Sequence, residues 1–322
     1  MPFEWDADIA VDERLLRRLL GRQFPWLAIE HVEPLESGWD NAVFAVNQQY
    51  VFRLPRRHIA VPLMEAEIQL LPWLAPHLPC AVPVPHIVGR PSDDYPFSFA
   101  GYTRIHGHPP YHADSDPPAR SSIARAFGSF LQSLHSVSIG EAMAHGIAIE
   151  DSIGRMDLRK RIPLLLDKVE QACGMGYFDG REQLVHRVHA LIDALQRLPS
   201  DPPPRAVVHG DLNFRNFLVD EAGVLSGVID WGDAHIGDPA VDLSIIFSFC
   251  PPAARPPFFE VYGAVSPEME LRARFRALYV SLMVLLYAHE IGQARQVRES
   301  LLGIANALDA NAQSDSGFPH SD

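Results

Sequence analysis

Residues Val208–Val219 read VHGDLNFRNFLV, and the rest of the chain is organised around this stretch. It places an asparagine, Asn216, five residues after Asp211 and ends in an apolar run. A second acidic element, Gly227–Asp233, reads GVIDWGD and carries Asp230. The short segment between the two elements therefore decides whether their polar side chains meet.

This connecting segment has the pattern of a tight hairpin. Apolar, strand-forming residues at 217–219 and 224–229 flank a turn that reads DEAG. A hairpin brings its two ends together, so we expect Asp211, Asn216 and Asp230 to converge.

These residue types suit the transfer of a phosphoryl group from a nucleotide. That reaction needs a carboxylate that orients and deprotonates the acceptor hydroxyl, and hard oxygen ligands for the Mg²⁺ that bridges the phosphates. We assign the catalytic role to Asp211 and the metal-ligand role to Asn216 and Asp230. An isolated aspartate in a loop is more often a turn former or a helix cap, but the three residues in this register favour catalysis. We interpret His209 as structural, with its ring bonded to nearby backbone.

Several motifs in a fixed order carry a family resemblance. Protein kinases have HRDxxxxN followed by a metal-binding aspartate, and this chain has the variant HGDxxxxN followed by VIDWGDA. With GDPAVDL at 237–243, YVFRLP at 50–55 and SFAGYTRI at 98–105, the set resembles the aminoglycoside/macrolide phosphotransferase family. Within it, the segment at 98–103 is similar to that of the 2″-aminoglycoside branch.

The resemblance implies an α+β, protein-kinase-like fold with two lobes. A small β-rich N-terminal lobe that binds nucleotide would cover residues 1–103, and a larger, mostly helical catalytic and substrate lobe would cover 104–322. We expect a disordered tail after about residue 310. The resemblance also implies Mg²⁺ as cofactor and ATP or GTP as co-substrate. In this family the segment around Thr103 and Ile105 is the hinge between the lobes, and its backbone pairs with the nucleotide base.

Arg53 lies inside a strand of otherwise apolar residues, 50–54, where a charge needs a partner or a ligand. Kinases place a lysine in this position, which binds the α- and β-phosphates and pairs with a helix glutamate; arginine can do both. On the predicted helix 62–74, Glu67 falls within the apolar stripe and is the expected partner. The alternatives are an edge-strand Arg53 that reaches solvent and a Glu67 that pairs with another arginine.

Ser37 and Gly38 lie in a predicted turn between two strands. We expect this turn to cover the nucleotide phosphates, as the kinase glycine-rich loop does. A plain hairpin turn is the equal alternative, because the stretch has one glycine and not GxGxxG.

Composition limits the class of protein. The chain has 322 residues, 47% of them hydrophobic, and a net charge of −13, which argues against a nucleic-acid partner. The 3 cysteines are scattered, so neither a zinc site nor a disulfide framework is indicated. The N-terminus lacks the pattern of a signal peptide, and the apolar stretch at 278–288 is too short to span a bilayer. We expect a cytoplasmic monomer with no membrane partner.

The acceptor is less well defined by the sequence. The net charge and the segment at 98–103 favour an aminoglycoside-like antibiotic, whereas the acid-free stretch 243–252 would suit the apolar wall of a macrolide site. Asp233 and Glu290 are candidate substrate carboxylates; the alternatives are a cap for Asp233 and a helix-surface acid for Glu290. A kinase of choline, homoserine or a sugar derivative, and a non-catalytic nucleotide-binding protein, also remain open.

Periodic apolar residues predict the remaining elements. A strand is expected at 29–36, followed by two strands around the turn at 47–49. Helices are expected at 8–20, 117–135, 159–173 and 181–198.

Overall fold

The computed structural model describes residues 7–35, 40–112, 117–198 and 205–309, and has the predicted α+β, kinase-like architecture. An antiparallel sheet of five strands, in the order β1-β2-β3-β5-β4, forms the small lobe. Its strands are β1 Val32–Pro34, β2 Asn41–Val46, β3 Tyr50–Pro55, β4 Ile87–Gly89 and β5 Phe99–Thr103. The predicted turn at Ser37 and Gly38 and the predicted tail lie outside the described residues.

The two faces of the sheet have different chemistry because side chains alternate along a strand. One face, with Phe52 and Phe99, packs against the leucines of helix α1 (Glu13–Gln23). The other face presents Arg53 to helix α2 (Ala60–Leu74). Helix packing on both faces buries the whole of β3 apart from Tyr50.

Two predicted boundaries in this lobe were wrong. The first helix begins at Glu13 and not at residue 8, because the carboxylate of Asp12 accepts the Leu15 N–H (2.8 Å) and so caps the helix there. In the described part of the strand predicted at 29–36, the strand is reduced to β1, whose three residues lie opposite Val46, Ala45 and Phe44 of β2.

The large lobe is mainly helical and contains two short two-stranded sheets. Strand β6 (Ala206–Val208) pairs with β9 (His235–Gly237), and β7 (Phe217–Val219) pairs with β8 (Leu225–Val228). The β7–β8 unit is the predicted hairpin. The helices are α3 Pro117–His135, α4 Ile139–Ala144, α5 Leu158–Gly174, α6 Glu182–Gln196, α7 Ala240–Phe249, α8 Pro256–Tyr262, α9 Pro267–Glu290 and α10 Ala294–Ala307, with 3₁₀ turns at Ala75–His77, Pro110–His112 and Pro252–Ala254.

The prediction of helices at 117–135, 159–173 and 181–198 is confirmed by α3, α5 and α6. Helix α7 changes the interpretation of the apolar stretch 243–252. All of its residues except Ser248 are buried, between α3, α9 and α10. Its apolar composition therefore reflects its place in the core and carries no information about an acceptor.

Helix α9 is the longest in the described ranges and contains the apolar stretch at 278–288. Within those ranges, no helix combines the length and the apolar character that crossing a membrane requires.

Candidate active site

The loop that carries Asp211 is held in place by a side chain of helix α7. The carboxylate of Asp242 accepts the backbone N–H groups of His209 (2.7 Å) and Gly210 (3.0 Å). Burial opposes ionisation of Asp242, but the bond from His135 and the Gly210 N–H help to outweigh it, and the pKa of Asp242 is lowered. One buried carboxylate therefore fixes the backbone immediately before Asp211.

His209 is structural, as predicted. Its ring is buried, and its Nε2 lies 3.0 Å from the Ile229 carbonyl. Burial lowers the pKa of this ring. Trp231 packs against it with ring centroids 4.7 Å apart, is itself fully buried, and donates its indole N–H to the Val228 carbonyl (3.1 Å). The His209–Trp231 contact ties the two acidic elements together.

Gly210, which stands where protein kinases have arginine, cannot carry a side chain. Its φ is +88°, and a Cβ there would lie 2.2 Å from the Asp233 carbonyl oxygen. The backbone of the second acidic element thus packs directly on the catalytic loop.

Asp211, Asn216 and Asp230 converge as the hairpin predicts. The Asn216 amide donates to the backbone carbonyl of Asp211 (2.8 Å) and to its carboxylate (2.9 Å). The Ile229 N–H donates to the backbone carbonyl of Asn216 (2.9 Å), which places Asp230 next to Asn216 and Asp211. Asn213 also donates to Asp211 (3.1 and 3.3 Å), a contact that the sequence interpretation did not foresee.

Arg53 links the two lobes. One of its terminal nitrogens donates to both oxygens of Glu67 (2.7 and 2.9 Å), which confirms the predicted pair. The other donates to Asp230 (2.6 Å), a contact not predicted from the sequence. Asp230 has φ +67° and a side chain 52% exposed, so it reaches into the space between the lobes. We call this space the interlobe cleft; Arg53 and Glu67 border one side of it, and Asp211, Asp230 and Asp233 border the other.

Two further arginines stand behind the carboxylates of the cleft, and the sequence interpretation missed both. Arg155, between α4 and α5, pairs with Asp233 (2.5 Å). Arg276, on α9, lies 3.6 Å from Asp211. With Arg53 behind Asp230, each of the three partly exposed aspartates has a buried arginine next to it.

A signal for one of these arginines exists in the sequence. Arg276 lies among the apolar residues Ala273, Phe275 and Ala277, which are all buried on α9. It is therefore a charged residue within an apolar helix stretch, the same pattern that identified Glu67. Arg155 lies in a segment without periodicity and has no such mark.

The electrostatic setting raises the pKa of Asp211 to about 7. Burial is the main cause, and the nearby negative charge of Asp233 adds to it, while Arg276 opposes the shift. Burial likewise raises the pKa of Glu67, against the pull of Arg53. A carboxylate with a pKa near neutrality is well matched to general-base work.

The residues expected at the nucleotide base lie where the small lobe joins the large lobe. Thr103 ends β5 opposite Tyr50 and is exposed. Ile105 is half-buried against β8, where a Cβ on Gly227 would lie 2.7 Å from its Cγ2. Glu290, the last residue of α9, is exposed and makes no ion pair in the described part of the chain.

Asn216 and Asp230 fit a magnesium ion. Both amide hydrogens of Asn216 point to Asp211, which leaves its Oδ1 available, and Arg53 occupies only one oxygen of Asp230. Among the described residues, no group of three or more His, Cys, Asp or Glu side chains could hold a metal ion without other ligands. Mg²⁺ needs no such group, because it keeps several waters and takes nucleotide phosphates as ligands.

Comparisons with known proteins agree with this geometry. The model of the phosphotransferase enzyme family matches residues 31–278, which include every residue assigned above except Glu290. Viomycin phosphotransferase of Streptomyces vinaceus is 46% identical over 71 residues, which are 21% of this chain and only 23% of that protein's length.

Two solved structures show the same fold. The GDP complex of wild-type aminoglycoside 2′-phosphotransferase-IIIa matches with a TM-score of 0.66 at 23% identity, over 92% of this chain and 99% of that one. The macrolide 2′-phosphotransferase of Brachybacterium faecium, as apoenzyme, matches with a TM-score of 0.59 at 26% identity, over 90% of this chain and 97% of that one.

Proposed function

Because the chain belongs to the phosphotransferase enzyme family, we propose that it moves the γ-phosphoryl group of ATP or GTP to a hydroxyl of an aminoglycoside-like antibiotic. The observation that carries this proposal is the convergence of Asp211, Asn216 and Asp230 at the end of the β7–β8 hairpin. Asp211 orients the acceptor hydroxyl and takes its proton. The hydroxyl oxygen forms a bond to the γ-phosphorus, the bond from that phosphorus to the β-phosphate oxygen breaks, and the nucleoside diphosphate leaves.

Asn216 and Asp230 would hold Mg²⁺, which neutralises charge on the phosphate oxygens. Arg53 holds the phosphates through the nitrogen that now donates to Asp230, because that nitrogen is nearest to the proposed metal ligands. Glu67 fixes the other terminal nitrogen and so positions Arg53. Most of the rate then comes from positioning and from charge neutralisation.

The other nucleotide contacts extend this proposal. The backbone at Thr103 and Ile105 pairs with the base, and the turn at Ser37 and Gly38 covers the phosphates. The lobes divide between residues 103 and 104, where the five-stranded sheet ends.

Two observations support a cationic acceptor. The chain carries a net charge of −13. Asp233 lies beside Asp211 with a side chain 42% exposed, and Glu290 would add a second, more distant carboxylate. A macrolide is the second candidate, supported by the 26% identity to a macrolide 2′-phosphotransferase over 90% of this chain.

A coupled assay of nucleotide turnover, run with ATP and GTP across aminoglycosides and macrolides at two salt concentrations, tests the proposal. Turnover with an aminoglycoside should fall steeply with salt, because attraction between exposed charges is screened within about 8–10 Å at near-physiological ionic strength. Turnover with a macrolide should change little. If neither class stimulates turnover but choline, homoserine or a sugar does, the antibiotic acceptor is wrong and only the transfer chemistry stands.

A further inference from the structure

We propose that Arg155 is a specificity-determining residue, which holds Asp233 in an ion pair and so limits how much positive charge the acceptor can carry beside its reacting hydroxyl. This inference rests on the proposed function for its reaction, but its geometry is independent of the acceptor's identity. It follows from the contacts of Arg155, from the position of Asp233 and from the charges that remain.

Arg155 is 3% exposed and bridges two carboxylates. One terminal nitrogen lies 2.5 Å from Asp151 Oδ1 and the other lies 2.5 Å from Asp233 Oδ1. The backbone N–H of Arg155 donates to the second oxygen of Asp151. Both terminal nitrogens of its guanidinium therefore have a carboxylate partner, and turning away from Asp233 would break one of these two contacts of a buried charge.

The backbone around the bridge is fixed as well. The Ile236 N–H donates to the Ala148 carbonyl (2.8 Å), and Ala148 forms a parallel bridge with His235. The segment that carries Asp151 and Arg155 is thereby held against the strand that follows Asp233. The positions of Arg155 and Asp233 are consequently fixed by the fold, unlike those of an ion pair between mobile surface side chains.

Asp233 is placed to meet the acceptor. Its carbonyl packs on Gly210, the residue before Asp211. The ion pair with Arg155 is made through Oδ1, and Oδ2 accepts no hydrogen bond from the described residues. A group next to the reacting hydroxyl would therefore find one free carboxylate oxygen.

The charge balance decides what that group can be. Asp151, Arg155 and Asp233 together carry one negative charge, whereas the two aspartates without the arginine would carry two. One free oxygen on a partly neutralised carboxylate suits a neighbouring hydroxyl or a single ammonium. It does not suit several clustered ammonium groups, which Arg155 repels.

The test measures the affinity for a polycation directly. Spermine is titrated by calorimetry into the protein with Mg²⁺ and a non-hydrolysable nucleotide present. In Arg155→Gln, the affinity for spermine should rise about fivefold, the effect of one unit charge removed at about 4 Å in water, and should depend more steeply on salt. Arg155→Lys keeps the charge and should behave as wild type. Arg159→Gln, at an exposed position on α5, is the matched control for loss of an arginine and should change nothing.

The double variant Arg155→Gln with Asp233→Asn assigns the effect to the pair. It should return the spermine affinity to the wild-type value. A gain that persists in the double variant, or no gain in Arg155→Gln, overturns the inference.

A folding defect in Arg155→Gln would not block the test. Asp233→Asn keeps Arg155 and removes one negative charge, so spermine affinity should fall about fivefold, the opposite of the change in Arg155→Gln. An unchanged affinity in Asp233→Asn would show that Asp233 does not face the bound cation and would overturn the inference. The spermine titration does not depend on turnover. If no antibiotic in the panel proves to be a substrate, the proposed function is refuted, but the measured effect of Arg155 on spermine affinity still stands.

Discussion

Asp230 adopts a left-handed backbone conformation, with φ +67°, that aspartate and asparagine tolerate better than most residues. Asp230→Asn should therefore keep the backbone and the side-chain shape while removing an anionic oxygen. We expect kcat to fall by about 100-fold or more, because a bound metal supplies several kcal/mol of transition-state stabilisation. Steady-state kinetics and chemical denaturation check this, with Glu221→Gln in the exposed hairpin turn as control. Near-normal turnover would refute the role of Asp230.

Asp211 should give the enzyme its pH dependence. Its pKa is raised to about 7, so the carboxylate is protonated and inactive as a base below that pH, and kcat/KM should rise as pH increases through about 7. Asp211→Asn should bind nucleotide normally and lose transfer at every pH. A pH–rate profile and a nucleotide titration test this; lost nucleotide affinity with transfer preserved would contradict it.

Arg276 should set where that pH profile lies. Its positive charge, 3.6 Å from Asp211, opposes the rise in the pKa of that carboxylate. Replacing the charge in Arg276→Met should move the rising limb of kcat/KM to higher pH, because the ionised form of Asp211 loses its counterion. Arg276→Lys should restore the wild-type position. An unchanged profile in the methionine variant would exclude this effect.

Single residues were predictable from the sequence where burial forces a partner. Arg53 lies within an apolar strand and Glu67 lies on an inward helix face, so each buried charge needs a partner of opposite sign. The two side chains form an ion pair in the structure. The pair of Arg155 and Asp233 joins a segment without periodicity to a loop far along the chain. Neither side chain carries a local sign of burial, so only the folded chain shows the contact.

At the scale of secondary-structure elements, helix α7 supports the catalytic loop through Asp242. Asp242→Asn should lower the free energy of unfolding at pH 7 by about 2–4 kcal/mol, because two N–H groups lose a buried charged acceptor. The lowered pKa of Asp242 means that this stability is present above the ordinary pKa of aspartate and is lost as pH falls through the lowered value. The difference between variant and wild type should thus be constant from pH 7 to about 5 and shrink below about 4. Denaturation curves across this range decide it; a constant difference down to acid pH would contradict it.

Elements were predictable when their periodicity was long. Helices α3, α5 and α6 follow from repeated apolar positions, whereas β1 is so short that pairing with β2 alone sets its limits. The stretch 243–252 was misinterpreted as an acceptor wall because apolar residues indicate burial without saying against what. In the structure they pack against other helices.

At the scale of the whole molecule, the site draws on both lobes through Arg53 and Asp230. Nucleotide with Mg²⁺ should therefore stabilise the protein as one unit, by about 2.7 kcal/mol at a concentration 100 times its Kd. A chelator should remove most of this gain, and Asp230→Asn should show little of it. Denaturation monitored by circular dichroism, with and without metal, tests this. Equal stabilisation without Mg²⁺ would contradict the metal site.

The fold of the whole molecule could be predicted because the motifs in order resemble those of the aminoglycoside/macrolide phosphotransferase family, whereas the residues alone indicate only a hairpin and its surroundings. The acceptor could not, since the charges that would bind it depend on pairing between distant segments, as with Arg155 and Asp233. Net charge alone does not show which carboxylates are free.

Trp231 gives the enzyme an internal optical probe. It is fully buried against His209, one residue after Asp230, whereas Trp26 is 65% exposed. With Trp5, Trp26, Trp39 and Trp73 replaced by phenylalanine, Trp231 is the single tryptophan of the chain, and its buried ring should give blue-shifted emission that iodide does not quench. The fluorescence of that variant then reports on the catalytic loop without any label, and rapid mixing with nucleotide would show when that loop responds.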